Sequence, residues 1–137
     1  MGFLIDTNVL SELRKKDRAD PGVMAWYTKV DGEQLATSVL VIGEIRNGIE
    51  RLRRRDAMAA TALETWLASV RSVLAGRILP VTSEIADQWG RLGVPDALPV
   101  VDGLLAATAF VHDLTFVTRN ERDVERTGVR VLNPFAA

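Results

Sequence analysis

The sequence predicts an α/β fold built on a mainly parallel sheet. Short apolar runs suited to buried strands alternate with longer segments of helical apolar period, the pattern of parallel strands joined by helical crossovers. Size and composition agree, because 137 residues with 47% hydrophobic and 26% charged side chains fit one globular domain rather than a disordered or fibrous chain. No internal repeat, low-complexity stretch or linker interrupts the chain, so residues 1–137 are read as one unit.

Phe3-Leu4-Ile5 is a short apolar run ended by Asp6-Thr7-Asn8, and Val9, Leu10 and Leu13 follow at helical spacing: a buried strand feeding a helix. Pro21 opens a second short helix through Val30, and Leu35-Ala36-Thr37-Ser38 reads as the second strand. From Val39 the period changes, with Val41, Ile42, Ile45, Ile49 and Leu52 on one stripe of a helix that ends in Arg51-Leu52-Arg53-Arg54-Arg55. In the next helix Leu63, Trp66, Leu67, Val70, Val73 and Leu74 share a face, and Gly76 is placed to end it. Arg77 to Val81 is then a strand, Thr82 or Ser83 caps a helix containing Ile85, Trp89 and Leu92, and Gly93 to Pro99 is loop. Val100 to His112 is apolar almost all round, with Asp102 its only charge before the last turn, which predicts a centrally buried helix. Thr115 to Thr118 and Val129 to Leu132 close the chain as two strands around a short turn or helix.

Composition also excludes several chemistries. Seventeen basic against eighteen acidic side chains leave a net charge of -1, so any hold on nucleic acid rests on local patches. Fourteen of the basic residues are arginine, whose planar fork suits phosphate. Absence of cysteine removes disulfides, thiolate metal sites and thiol nucleophiles. His112 is the sole histidine and no G-x-S-x-G elbow accompanies it, which argues against a Ser-His-Asp system. The longest apolar run, Leu104 to Val111, is far short of the ~20 residues a membrane span needs. The chain reaches Asp6 before a signal-peptide core can form, which predicts a cytoplasmic protein.

Three carboxylates stand where a merely folded domain has little use for them. Asp6 follows the first strand, at the strand end where parallel sheets gather ligands, although it is also well suited to cap a helix. Asp102 lies in the first turn of the apolar helix, and Glu44 borders the apolar stripe of its own. Two ionised carboxylates ~5 Å apart at an effective dielectric near 20 repel by roughly 3 kcal/mol, so such a cluster calls for protons or a cation. With oxygen ligands only, that cation is magnesium, or manganese in its place.

Taken in order, the strand with Asp6-Thr7-Asn8, Ser38 to Gly43-Glu44, Asp102 with Leu105-Ala106-Ala107, Thr118-Arg119-Asn120 with Asp123, and the closing Gly128-Val129-Arg130-Val131-Leu132-Asn133-Pro134 resemble PIN-domain ribonucleases. The likeness is to the toxin half of VapBC toxin–antitoxin modules, including the FitB-like branch, and spans almost the whole chain. It implies a PIN-like three-layer α/β/α sandwich and a metal-dependent endoribonuclease. The acids then map onto Asp6, Glu44, Asp102 and Asp123, with Asp6 and Asp102 holding Mg2+ and with Thr7, Asn8, Thr118 and Asn120 as polar support. The fourth position departs from the family, where an aromatic residue often follows the aspartate; Val124 stands here, and Glu121 and Glu125 flank Asp123 as alternatives. Water attack in this family implies a 5'-phosphate and a 3'-hydroxyl.

An acidic site repels RNA, so attraction falls to basic clusters: Arg46, Arg51, Arg53, Arg54 and Arg55, with Arg14, Lys15, Lys16 and Arg18 as a second group. The same residues also suit helix C-termini and a solvated surface. Trp66 and Trp89 fall on apolar stripes, while Trp26 and Tyr27 are free to serve a partner. The resemblance implies a VapB-type antitoxin, a homodimer and a toxin–antitoxin hetero-oligomer. An apolar groove for that partner is expected among Val9, Leu10, Leu13, Trp26, Tyr27, Ile42, Ile45 and Ile49. The competing reading is a binding module that keeps the fold without catalysis. Receiver and dehalogenase-type phosphatase readings fail, because every lysine is early and Asn8 stands where the phosphatase needs a second aspartate.

Overall fold

The structure, a computed structural model, describes residues 2–136. Five strands, β1 (Phe3–Ile5), β2 (Leu35–Ser38), β3 (Ile78–Leu79), β4 (Thr115–Val117) and β5 (Val131–Leu132), form one sheet in the order β3-β2-β1-β4-β5, with every pairing parallel. The helices are α1 (Thr7–Leu13), α2 (Pro21–Lys29), α3 (Val39–Arg53), α4 (Ala57–Val73), α5 (Ser83–Leu92), α6 (Val100–Val111) and α7 (Glu121–Glu125). The chain steps from β1 outward to β2 and β3, then crosses back to β4 and β5 on the other side of β1. Right-handed crossovers in opposite directions place their helices on opposite faces, which gives a three-layer α/β/α arrangement. Packing follows that division, with α3 against α4 and α5 against α6.

The local chemistry sets the boundaries. Asp6, Ser38, Asp56 and Thr82 cap α1, α3, α4 and α5 with side-chain oxygens on backbone N–H groups. Gly76 takes φ +81° just past α4, a left-handed turn that only glycine adopts without strain. The core is the middle of the sheet, with Leu4, Ile5, Phe116 and Val117 shut from solvent against Val9, Val41, Ile49, Leu67 and Leu105.

Two expectations need correction. The edge strands are shorter than the apolar runs suggest, two residues each. Pro80, which has no N–H to add to a ladder, follows β3 directly. Helix α6 is not buried all round: Gly103 and Leu105 to Ala109 are buried, but Val100 and Phe110 are 60% and 54% exposed. Gly103 lies close against Trp89 of α5, and Val100 and Phe110 toward either end reach solvent.

Candidate active site

The sheet reverses its strand order between β1 and β4, and open parallel sheets bind ligands at the carboxyl ends of such a pair. Asp6 leaves β1 at that point and Thr118 leaves β4 beside it. The Asp6 N–H donates to the carbonyl of Val117 at 3.0 Å, carrying the β1–β4 ladder one residue further. Asp6 is 4% exposed. Its Oδ1 accepts the Thr7 N–H at 2.7 Å; its Oδ2 accepts the Thr118 hydroxyl at 2.7 Å and, more weakly, the Asn8 amide at 3.4 Å. A carboxylate offers about four acceptor positions, so this one is oriented and still has a lone pair free.

The other acids surround it at longer range. Glu44, exposed on α3, accepts a 2.5 Å hydrogen bond from the Thr7 hydroxyl, so Thr7 serves two carboxylates at once, Asp6 through its N–H and Glu44 through its side chain. Asp102 sits half-buried in the first turn of α6, its side chain without a hydrogen-bonding partner among the described residues. Burial pushes the Asp6 carboxyl above its ordinary 3.8; the Thr118 and Thr7 hydrogen bonds oppose this, and the charges of Asp102 and Glu44 add to it. Burial also raises Asp102, and there Glu44 and then Asp123 push in the same direction. Asp6 and Asp102 thus each feel the charge of neighbouring acids. Among the described residues no three acid or histidine side chains converge closely enough to enclose a metal ion as they stand. The donor set nonetheless fits a hard cation, because its members are all oxygens, two are destabilised as anions, and Asp6 and Asp102 keep unused lone pairs.

At the fourth position, Asp123 is the residue whose charge reaches Asp102, while Glu121 turns to the Asn133 amide at 3.5 Å. Asn8 bridges α1 to the β4 exit by accepting the Arg119 N–H at 3.3 Å. Asn120 donates its backbone N–H to the Thr118 hydroxyl at 3.1 Å, behind the bond from that hydroxyl to Asp6. His112 is exposed at the far end of α6.

The basic clusters divide. Arg46 and Arg53, expected as RNA contacts, are held by Glu50 and Glu64 at 2.7–3.2 Å in a four-residue network between α3 and α4. The sequence could not show this, because Glu64 comes from the next helix. Arg51 is exposed on α3 and shares an open surface groove with Glu44 and Asn47, while Arg54 is exposed just beyond the helix. The apolar groove also differs from expectation. Ile42, Ile45, Ile49 and Val9 are buried in the core, and Trp26 packs edge-on against Phe3. Leu10, Leu13, Tyr27, Trp66, Val70 and Val73 instead line a groove of about 190 Å³ between α1, α2 and α4. Trp66 therefore joins Tyr27 at the groove, and its place on an apolar stripe hides that in the sequence.

The chain matches the PIN domain family over residues 3–129. It is 30% identical to Toxin FitB of Neisseria gonorrhoeae over 140 residues, covering 97% of this chain and 98% of that protein. The crystal structure of FitAcB from the same organism superposes with a TM-score of 0.87 at 30% identity, covering 96% and 97% of the two chains. The structure of FitAB bound to the IR36 DNA fragment gives 0.88 at 28% identity, with 98% and 96% covered.

Proposed function

The chain belongs to the PIN domain family, and we propose that it is a magnesium-dependent endoribonuclease toxin that hydrolyses RNA phosphodiester bonds. The observation that carries this reading is Asp6: a carboxylate buried at the switch point of a parallel sheet, oriented by Thr7 and Thr118 and pressed by the charges of Asp102 and Glu44. A structural cap does not need two further acids around it. Asp6 and Asp102 would hold Mg2+, or Mn2+ in its place, which when bound lowers the pKa of a water and offsets charge on the phosphate. The chain's own part is positioning. Thr118 and the Thr7 N–H fix the Asp6 carboxylate, the Thr7 hydroxyl holds Glu44 beside it, and Asp123 completes the acidic group from α7.

We place a VapB-type antitoxin in the groove lined by Leu13, Tyr27, Trp66 and Val73, which offers an amphipathic helix an apolar seat. A second copy of the chain would pack at the hollow between α5 and α6, where Trp89 and Val100 are exposed. Among the described residues no helix is long and apolar enough to cross a membrane, and cytoplasmic residence is part of the proposal.

The test is incubation of the purified protein with total bacterial RNA, with and without magnesium, followed by sequencing of the new 5' ends. Magnesium-dependent cuts bearing 5'-phosphates support the reading. Magnesium binding without any cut, or neither, leaves the binding-module alternative in its place.

A further inference from the structure

Arg119 follows Thr118, the residue that orients Asp6, and its own backbone N–H is tied to Asn8 at 3.3 Å. Its side chain leaves in the other direction. The guanidinium carbon lies 4.5 Å from the centroid of the Phe135 ring, within the range of a cation–π contact. The main chain that carries the ring is tied down, since the Phe135 N–H donates to Asn133 Oδ1 at 3.0 Å and the next N–H, of Ala136, donates to Asp20 Oδ1 at 2.9 Å. Gly22 lets this terminal segment lie close over the start of α2, because a Cβ there would collide with the backbone of Pro134 and Ala136.

Stacking uses a face of the guanidinium and leaves its in-plane N–H fork open. Arg119 is exposed, and among the described residues its side chain enters no ion pair or hydrogen bond, in contrast to Arg46 and Arg53. Asp20 feels its charge through space, but the N–H groups of Gly22, Val23 and Ala136 all bind its Oδ1, and among the described residues Arg119 forms no ion pair with that carboxylate. Sheet order sets the direction: β4 and β5 succeed one another outward from the acid centre, so Arg119 and Phe135 lie on the β5 side, while Arg51 lies on the β2 side.

We propose that Arg119, mounted on Phe135, is a substrate-binding residue that takes a backbone phosphate of the RNA beside the carboxylate centre. The inference rests on the nuclease reading above. A planar fork held against an aromatic ring loses little freedom on binding phosphate, and it supplies attraction where the acids repel.

The experiment measures binding of a short labelled single-stranded RNA at several salt concentrations in an Asp6→Asn background, and cleavage kinetics in the otherwise native chain. Arg119→Ala keeps the backbone bond to Asn8. It should weaken binding by about tenfold and reduce the salt slope by ~0.7, one phosphate on a single strand. In cleavage it should raise KM with kcat little changed. Arg119→Lys should retain the slope, and Phe135→Leu should raise KM in the same sense with a smaller effect. Unchanged binding, slope and KM in a folded Arg119→Ala overturn the proposal, as does a fall in kcat and melting temperature with KM unchanged, which would make Arg119 a prop for the Thr118 turn. Failure of the native chain to bind or cut RNA overturns both this and the nuclease reading, whereas cutting that is indifferent to Arg119 overturns this alone.

Discussion

The hydroxyl of Thr118 donates to Oδ2 of Asp6 at 2.7 Å across 112 positions of sequence, and both residues are buried. That bond closes the switch point of the sheet. It pulls the Asp6 carboxyl down against a burial that raises it.

Replacing Thr118 with Val keeps the shape and removes the donor. Leaving a buried carboxylate oxygen short of its partner should cost about 1–3 kcal/mol in urea unfolding without metal. Thr118→Ser should lose much less. Equal stability of the two variants would show that the hydroxyl does not carry Asp6.

Removing charge from the acidic group should act in the opposite direction. An acid whose folded pKa is raised holds more protons folded than unfolded, so its contribution to stability declines as pH rises above 3.8. At neutral pH, Asp6→Asn and Asp102→Asn should therefore raise the melting temperature of chelator-treated protein while abolishing RNA cleavage. The amide oxygen that Asp6→Asn introduces can still accept the Thr7 N–H. Magnesium should raise the melting temperature of the native chain and not that of the double variant. Full nuclease activity in both single variants would remove these residues from the site.

The strand–helix alternation was legible because each element carries its own period, and the start of α3 at Val39 and the strand Leu35–Ser38 come straight from the apolar pattern. Asp6, Glu44 and Asp102 were legible for a different reason: each interrupts an apolar context. Pairings made in three dimensions were not. Thr7 bridging to Glu44, Arg119 stacking on Phe135 and the Glu64 clasp on Arg46 and Arg53 join separate elements, and nothing local marks them. The core burial of Ile42, Ile45 and Ile49 was equally ambiguous, since an apolar stripe faces the core or a partner with the same period.

The Glu50–Glu64–Arg46–Arg53 network should act on stability and leave RNA alone. Both glutamates are held below the usual carboxylate range by the two arginines, Arg53 foremost. Their contribution is thus present above the ordinary 4.5 and lost as pH falls through the lowered folded value. Glu64→Gln should lower the melting temperature slightly at neutral pH, with the difference closing in acid and in high salt, because the network is solvent-exposed. Arg46→Ala should follow it, with KM for RNA unchanged, whereas Arg51→Ala beside Glu44 should raise KM. A KM effect at Arg46 equal to that at Arg51 would make Arg46 a substrate contact.

The last prediction concerns the groove between α1, α2 and α4. Val73 is 67% exposed and Tyr27 40%, yet both border the same apolar hollow as the core residues Leu10 and Val70. A side chain that is exposed in the free chain costs the fold little to replace, so a charge placed there tests the partner and not the core. Burying a carboxylate under a docked apolar helix is costly, and the Arg77 guanidinium, the neighbouring cation, is already engaged by the Val73 and Leu35 carbonyls. Val73→Asp should therefore leave melting temperature and RNA cleavage near those of the native chain while abolishing co-purification with the proposed antitoxin on co-expression. Tyr27→Ala should weaken the complex less, since it removes contact area without introducing charge. If the proposed toxin reading holds, the Val73→Asp protein should stay harmful to growth when the antitoxin is present, whereas the native chain should be silenced. A Val73→Asp protein that is still captured and silenced would move the antitoxin to another face of the molecule.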